Sequence, residues 1–339
     1  MIRKMKYLPC LCIVLAMLFA SPTVSANDKG VLTGGQKYDL PGWFSHGFLE
    51  FDEEVAEANE AGKQVIAFFH LDECPYCVRM LDENFRTGET RQFIEKNFRV
   101  TGVDMKGGLE VTWTDGQPYT ENELTRHLGV YGTPSVVFLD RKGAKVLQLN
   151  GYRDPVAFRQ ALDFVNERHY RKTSFSDYLV NLDRKAVYQF AHHEMLQQAT
   201  YFKDYRGALV ILFEDRYCGE CARFHEKTLN HPDVLAGLQD VLFVRLDADS
   251  NQKIVTPDGK MMTTRQWMDD LELTFRPSLV MFNEGRELYR ADGIKYHHHL
   301  SEGLAYVKSG YIDYPIIGDF KKAYRNRMME SGKNVDFSE

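Results

Sequence analysis

Residues 64–80 read QVIAFFHLDECPYCVRM and residues 208–224 read ALVILFEDRYCGECARF. Laid on one another at an offset of 144, apolar run meets apolar run, Cys74 meets Cys218, Cys77 meets Cys221 and Arg79 meets Arg223. The match continues well beyond the cysteines. At an offset of 143, Asp115-Gly116 falls on Asp258-Gly259, Leu128 on Leu271 and Pro134 on Pro277, and at 142, Gly143, Gly151 and Leu162 fall on Gly285, Gly293 and Leu304. One-residue losses in loops account for the drift, so the chain holds one unit twice.

Each copy divides into the same elements. Val65 to His70 and Leu209 to Glu214 are short continuous apolar runs, the pattern of a strand buried on both faces. Behind each C-x-x-C the apolar residues take helical spacing, with Cys77, Met80, Leu81 and Phe85 in the first copy and Cys221, Phe224 and Leu229 in the second. Phe98 to Asp104 and Val241 to Asp247 alternate and are rich in β-branched and aromatic residues, which predicts a second strand in each. SVVFLDRKGAKVLQLNG (135–151) and SLVMFNEGRELYRADG (278–293) read as hairpins turning at glycine. DPVAFRQALDFVNERHY (154–170) and HHHLSEGLAYVKSG (297–310) close the copies as amphipathic helices.

The opening residues, MIRKMKYLPCLCIVLAMLFASPTVSA, run from cations through an apolar stretch, Leu8 to Phe19, to Val24-Ser25-Ala26. That is the layout of a signal peptide over residues 1–26, with cleavage expected after Ala26. The apolar run is too short for the roughly 20 residues that span a bilayer, so no membrane span is expected in the mature chain. Losing Arg3, Lys4 and Lys6 takes the formal net charge from −6 to −9, and losing Cys10 and Cys12 leaves four cysteines, all in the two C-x-x-C pairs. An acidic chain without a long basic block argues against nucleic acid or an anionic membrane as partner. The 313 residues that remain exceed what one core usually organises, and an apolar fraction of 44% is enough for two.

Paired cysteines can bind zinc or haem as well as form disulfides. Zinc knuckles are usually separated by roughly 15 to 20 residues, whereas 140 residues separate Cys77 from Cys218. Haem attachment needs His after the second cysteine, where Val78 and Ala222 stand. A dithiol between a buried strand and its helix, followed by Thr133-Pro134 and Arg276-Pro277 at 57 and 56 residues beyond Cys77 and Cys221, resembles the thioredoxin superfamily twice over. The duplicated arrangement and the ending MMESGKNVDF are similar to the SoxW-like group, the thioredoxin-like proteins of bacterial sulfur-oxidation systems.

The resemblance implies an α/β fold of two tandem thioredoxin-like domains, each a central mixed β-sheet flanked by helices. Their expected bounds are 45–168 and 195–310, with a helical linker over 169–194 and a helical tail over 311–339. It implies that Pro134 and Pro277 are cis and lie beside the sulfurs, and that Thr133 and Arg276 pair with an extended substrate. Cys74 and Cys218 become the nucleophiles, since unpaired N–H groups and the dipole at a helix start favour thiolate. Cys77 and Cys221 then resolve the mixed disulfide. The expected protein is a periplasmic thiol–disulfide oxidoreductase acting on protein thiols and disulfides and recharged by a redox partner, with no cofactor beyond its two dithiols. The alternative is a thioredoxin-fold chaperone or assembly factor that holds client thiols or Cu(I) without turnover.

The sequence also departs from the family. The buried Asp that thioredoxins carry six residues before the first cysteine is replaced by Phe68 and Leu212. His70 and Glu214, four residues before it, are candidate substitutes in proton handling, or plain polar residues at a strand's exit. Tyr76 places no charge beside Cys74, while Glu220 should disfavour a Cys218 thiolate and Arg276 should favour it. The two sites are therefore expected to differ in potential, where 30 mV is about 1.4 kcal/mol. The histidines at 192–193 and 297–299 read as solvated helix faces rather than a metal site, and KKAYRNRMMESGK (321–333) as a charged surface helix.

Overall fold

The computed structural model describes residues 29–45, 47, 49–182 and 185–337. The expected signal peptide lies outside the described residues. After β1 (Leu32–Thr33) and α1 (Phe51–Glu60), the first repeat runs β2 (Gln64–His70), α2 (Pro75–Met80), α3 (Gly88–Asn97), β3 (Phe98–Asp104), a small hairpin of β4 (Glu110–Thr112) and β5 (Pro118–Thr120), α4 (Glu121–His127), β6 (Ser135–Leu139), β7 (Lys145–Asn150) and α5 (Pro155–Asn166). Its sheet has the order β3-β2-β6-β7, with β2 parallel to β3 and antiparallel to β6. Because β2 is central and covered on both faces, every residue from Val65 to Phe69 can be apolar. Ile66 and Phe68 join Phe44, Phe85 and Phe158 on one face, and Val65, Ala67 and Phe69 join Phe51, Trp113 and Leu124 on the other.

The second repeat follows α6 (Phe175–Asn181) and repeats the plan through β8 (Leu209–Glu214), α7 (Cys221–Arg223), α8 (Pro232–Gly237), β9 (Leu242–Asp247), β10 (Lys253–Val255), β11 (Met261–Thr263), α9 (Thr264–Asp270), β12 (Ser278–Asn283), β13 (Arg286–Asp292) and α10 (His297–Ala305). Its sheet order, β13-β12-β8-β9, mirrors the first. The helix after each cysteine pair widens into a π turn at the same place, Leu81–Arg86 and Phe224–Leu229.

The flanking segments differ from expectation. Helix does not fill 169–194: α6 ends at Asn181, and residues 185–194 run without helix. The reason lies at the sheet edge. Gln197 bridges Val244 and Tyr201 bridges Val255, as Ser45 bridges Thr101 and Glu50 bridges Thr112 in the first copy. The segment is thus the extended lead-in of the second repeat, which lacks a counterpart of α1: residues 202–208, all described, hold no helix. The tail is helical over α11 (Tyr311–Asp313) and α12 (Ile317–Glu330) but ends in β14 (Val335–Asp336), which pairs in parallel with β1.

The two repeats pack with their β7 and β13 ends together. A Cβ on Gly151 would lie 2.9 Å from the Asp292 carbonyl oxygen, and one on Gly293 would lie 3.4 Å from the Asn150 carbonyl oxygen. Gly151 and Gly293 occupy the same place in the two copies, so the contact is reciprocal, as at a local twofold axis. Beside it, Arg153, 1% exposed, donates to the Asp292 carboxylate at 2.8 Å. Asp292 also accepts from the Phe275 amide at 2.9 Å and the Ser278 hydroxyl at 2.9 Å, so this buried charge is fully partnered. Phe275, next to Arg276, packs into the first repeat's core. Among the described residues no helix is long and apolar enough to cross a membrane.

Candidate active sites

Cys74 and Cys77 are disulfide-bonded with their Cα atoms 5.2 Å apart. Pro75 opens α2, where its missing N–H costs nothing, and Cys74 becomes the N-cap. Its sulfur accepts from the Cys77 amide at 3.1 Å and from the Thr133 hydroxyl at 3.3 Å, beside the cis Thr133-Pro134 bond. Cys74 keeps 8% of its surface exposed and Cys77 none, so only the outer sulfur can be reached. It opens into a cavity of about 570 Å³ between the repeats.

Tyr76 belongs to that interface. Its ring stacks on Tyr296 at 4.6 Å, its hydroxyl accepts from the Tyr296 amide at 3.0 Å, and the hydroxyl lies 3.2 Å from His299 Nδ1. Burial holds the phenol well above its ordinary range and the imidazole well below its own. Both rings are therefore neutral, and the hydroxyl and Nδ1 share a hydrogen bond. His70 meets Tyr38 instead of a sulfur: the Tyr38 hydroxyl donates to the Leu71 carbonyl at 2.7 Å and so accepts from His70 Nδ1 at 3.2 Å. Burial lowers the His70 pKa, against the pull of Asp104 and Asp72.

The second pair, Cys218–Cys221, has a Cα separation of 5.5 Å and exposures of 5% and 0%. Its helix begins only at Cys221, with Glu220 as N-cap, while the Cys218 amide donates to the Asp215 carbonyl at 3.3 Å. The expectation that both outer cysteines cap a helix therefore holds for Cys74 and not for Cys218. The two charges singled out near Cys218 are also engaged elsewhere. Arg276, preceding the cis Pro277, pairs with Asp215 at 3.2 Å, and Glu220 pairs with Arg79 of the first repeat at 3.5 Å.

Glu214 ends β8 as expected but is fully buried, 2.8 Å from His225 Nε2 and 3.7 Å from Arg245. The Tyr188 hydroxyl donates to it at 3.4 Å and accepts from the Ala191 amide at 3.0 Å. Tyr188 also forms one buried cluster with Cys218 and Cys221. The amides of Val187 and Tyr188 donate to the Arg216 carbonyl at 2.9 and 3.0 Å, so the linker is strapped across the second disulfide.

Sequence reasoning missed Tyr38, Tyr188 and His225. A signal did exist, since each repeat's lead-in carries a tyrosine that reaches the ionisable residue four places before the first cysteine. The loss of α1 from the second copy hid it from a constant-offset alignment. The histidine run is not a solvated face either: His299 faces Tyr76, and His297 stacks on His231 at 3.6 Å and 16°. A nitrogen of each lies within 4.8 Å of an Asp233 oxygen, but parallel rings send their in-plane lone pairs side by side, unlike a chelate. His193 is buried as well.

The family model of the thioredoxin-like domain matches residues 51–166 and again 197–308. The chain belongs to the thioredoxin-like domain family. Family membership and the two C-x-x-C disulfides support thiol–disulfide oxidoreductase chemistry at a general level. Similar solved structures include a thioredoxin-fold protein from Helicobacter pylori (23% identity, 35% of this chain and 78% of that one, TM-score 0.31). Others are a thioredoxin from Thermus thermophilus (29% identity, 34% and 83%, TM-score 0.28) and a putative disulphide-isomerase from Bacteroides thetaiotaomicron (20% identity, 40% and 99%, TM-score 0.30). No curated protein matches. Nothing in these matches separates the SoxW-like group from the rest of the superfamily.

Proposed function

We propose that this protein is an exported, periplasmic thiol–disulfide oxidoreductase whose working site is Cys74–Cys77, acting on the thiols and disulfides of other proteins. The observation that carries the reading is the asymmetry around the outer sulfurs. Cys74 receives two hydrogen bonds, from the Cys77 amide and the Thr133 hydroxyl, and opens into a cavity. Cys218 instead packs in one buried cluster with Tyr188. Donors aimed at sulfur favour thiolate over thiol and so make Cys74 both a better leaving group and a nucleophile at neutral pH.

In the oxidising half-reaction a substrate thiolate attacks Cys74 Sγ, forming a mixed disulfide and releasing Cys77 as thiolate or thiol. A second substrate thiolate then attacks its partner sulfur and frees Cys74, leaving a substrate disulfide and a reduced pair. In the reverse direction Cys74 attacks and Cys77 resolves.

Turnover of a peptide disulfide under a defined thiol buffer tests the assignment. Cys74→Ser should abolish it and Cys218→Ser should leave most of it. Cys77→Ser should accumulate mixed disulfides with partners in periplasmic extracts, and the mature chain recovered there should begin at Asn27. Stoichiometric Cu(I) uptake without turnover would replace this reading with the binding one.

A further inference from the structure

The cavity in front of Cys74 carries a second feature that disulfide exchange does not need. Its far wall is built by the second repeat and α12, and from there Lys295, Lys321 and Arg325 approach Tyr76 and His299. Arg325 is held by Glu302 through two bonds, one of 2.8 Å. Among the described residues neither Lys295 nor Lys321 has an ion pair. Instead the Lys295 ammonium stands 5.9 Å from the Tyr76 ring and the Lys321 ammonium 4.8 Å from the Tyr289 ring. The start of α10, nine residues long, adds the positive end of its dipole at Tyr296. The acidic side chains on the lining are Asp72 and Glu73, on the β2–α2 loop, and Asp292, already bound to Arg153.

Two unpaired ammonium groups brought together in a partly enclosed space repel one another, and burial with this repulsion lowers the Lys295 pKa. An anion between them would relieve that cost. A cavity of about 570 Å³ is of the size that takes a small ligand, and among the described lining residues Cys74 is the one cysteine.

We propose that the cavity binds low-molecular-weight thiols bearing carboxylates, holding the carboxylate at Lys295 and Lys321 so that the thiolate meets Cys74. This deepens the exchange reaction proposed above and rests on it. The first thiolate displaces Cys77 from Cys74 and forms a mixed disulfide. The second attacks the ligand's sulfur, so that two thiols are oxidised to one disulfide and the Cys74–Cys77 pair is reduced.

The test uses the full chain with Cys218→Ser and Cys221→Ser, so that one pair reports. Reduction is followed with mercaptosuccinate, 2-mercaptoethanol and cysteamine. Each rate is taken per thiolate and divided by that thiolate's rate with an uncharged peptide disulfide. Mercaptosuccinate should then exceed 2-mercaptoethanol by about tenfold or more at low salt, the lower end of what charge-lined clefts produce. The advantage should shrink as salt is added. Lys321→Met should bring the ratio toward one, as should Lys295→Gln if Lys321→Met fails to fold. Lys322→Met, exposed on the same helix, should leave it unchanged. Equal normalised rates, or a ratio that survives both lysine substitutions, would overturn the site while leaving exchange intact. Failure of all three thiols to open the pair would remove the exchange reading and this site with it.

Discussion

At the scale of single residues, the most informative change between the repeats is the pair Asp215 and Arg276. Their counterparts in the first copy are Leu71 and Thr133, so an apolar and a neutral residue have become a buried ion pair, 3.2 Å long and at most 8% exposed. Arg276 was legible in the sequence as a cation beside the cis proline, but its partner was not. Asp215 reads equally well as the end of a strand, and only the antiparallel register of β8 on β12 brings the two together. The consequence is energetic more than catalytic, because a charge neutralised by Asp215 offers little to Cys218. Asp215→Leu should therefore cost about 3–5 kcal/mol in denaturant unfolding, as removing one partner of a buried pair does. Asp215→Leu with Arg276→Thr restores the first copy's arrangement and should recover most of that loss. Additive costs in this double-mutant cycle would show that the two side chains are not coupled.

At the scale of elements, the repeat made the strands, hairpins and helices readable, because every element behind the cysteines occurs twice with its own periodicity. The lead-ins were harder. Residues 185–194 carry aromatic and polar residues that fit a helix or an extended segment, and tertiary context excluded the helix: backbone donors pair with Arg216, and the chain goes on to bridge β9 at Gln197. The strap then brings Tyr188 over the second disulfide. Its ring and its hydroxyl can be separated. Tyr188→Phe removes the bonds to Glu214 and Ala191 but keeps the cover, so the second pair should remain slow to react with a small thiol. Tyr188→Ala removes the cover, and reduction of Cys218–Cys221, followed by mass after alkylation, should accelerate while that of Cys74–Cys77 does not. If Tyr188→Phe accelerates it as much as Tyr188→Ala, the polar network and not the ring protects the pair.

At the scale of the whole molecule, two units that each read as a complete domain share an interface at their reactive ends, and the buried histidines there and elsewhere predict sensitivity to acid. His299 is held neutral between Tyr76 and the cations Lys295, Lys321 and Arg325, with His298 alongside, and burial is the largest cause of its depressed pKa. His193 and His70 are lowered in the same direction, again chiefly by burial. A histidine with a lowered pKa binds a proton more readily in the unfolded chain. Its contribution to stability is therefore complete above the ordinary value of 6.5 and is lost as pH falls through the depressed one. Glu121 and Asp269, raised by burial, act in the opposite sense but from ordinary values of 4.5 and 3.8, lower on the pH scale. Stability measured by denaturant should accordingly fall between about pH 7 and pH 5. His299→Phe keeps a ring against Phe337, which His299 stacks on at 5.3 Å, and should flatten that decline. Because His299 lies at the interface, acid should also expose Tyr76 and Cys74 before either repeat unfolds, which would appear as faster alkylation of Cys74 in the reduced protein relative to a free thiol at the same pH. A stability profile that keeps its slope in His299→Phe, with Cys74 reactivity unchanged across the range, would mean that the interface is not where the protons bind.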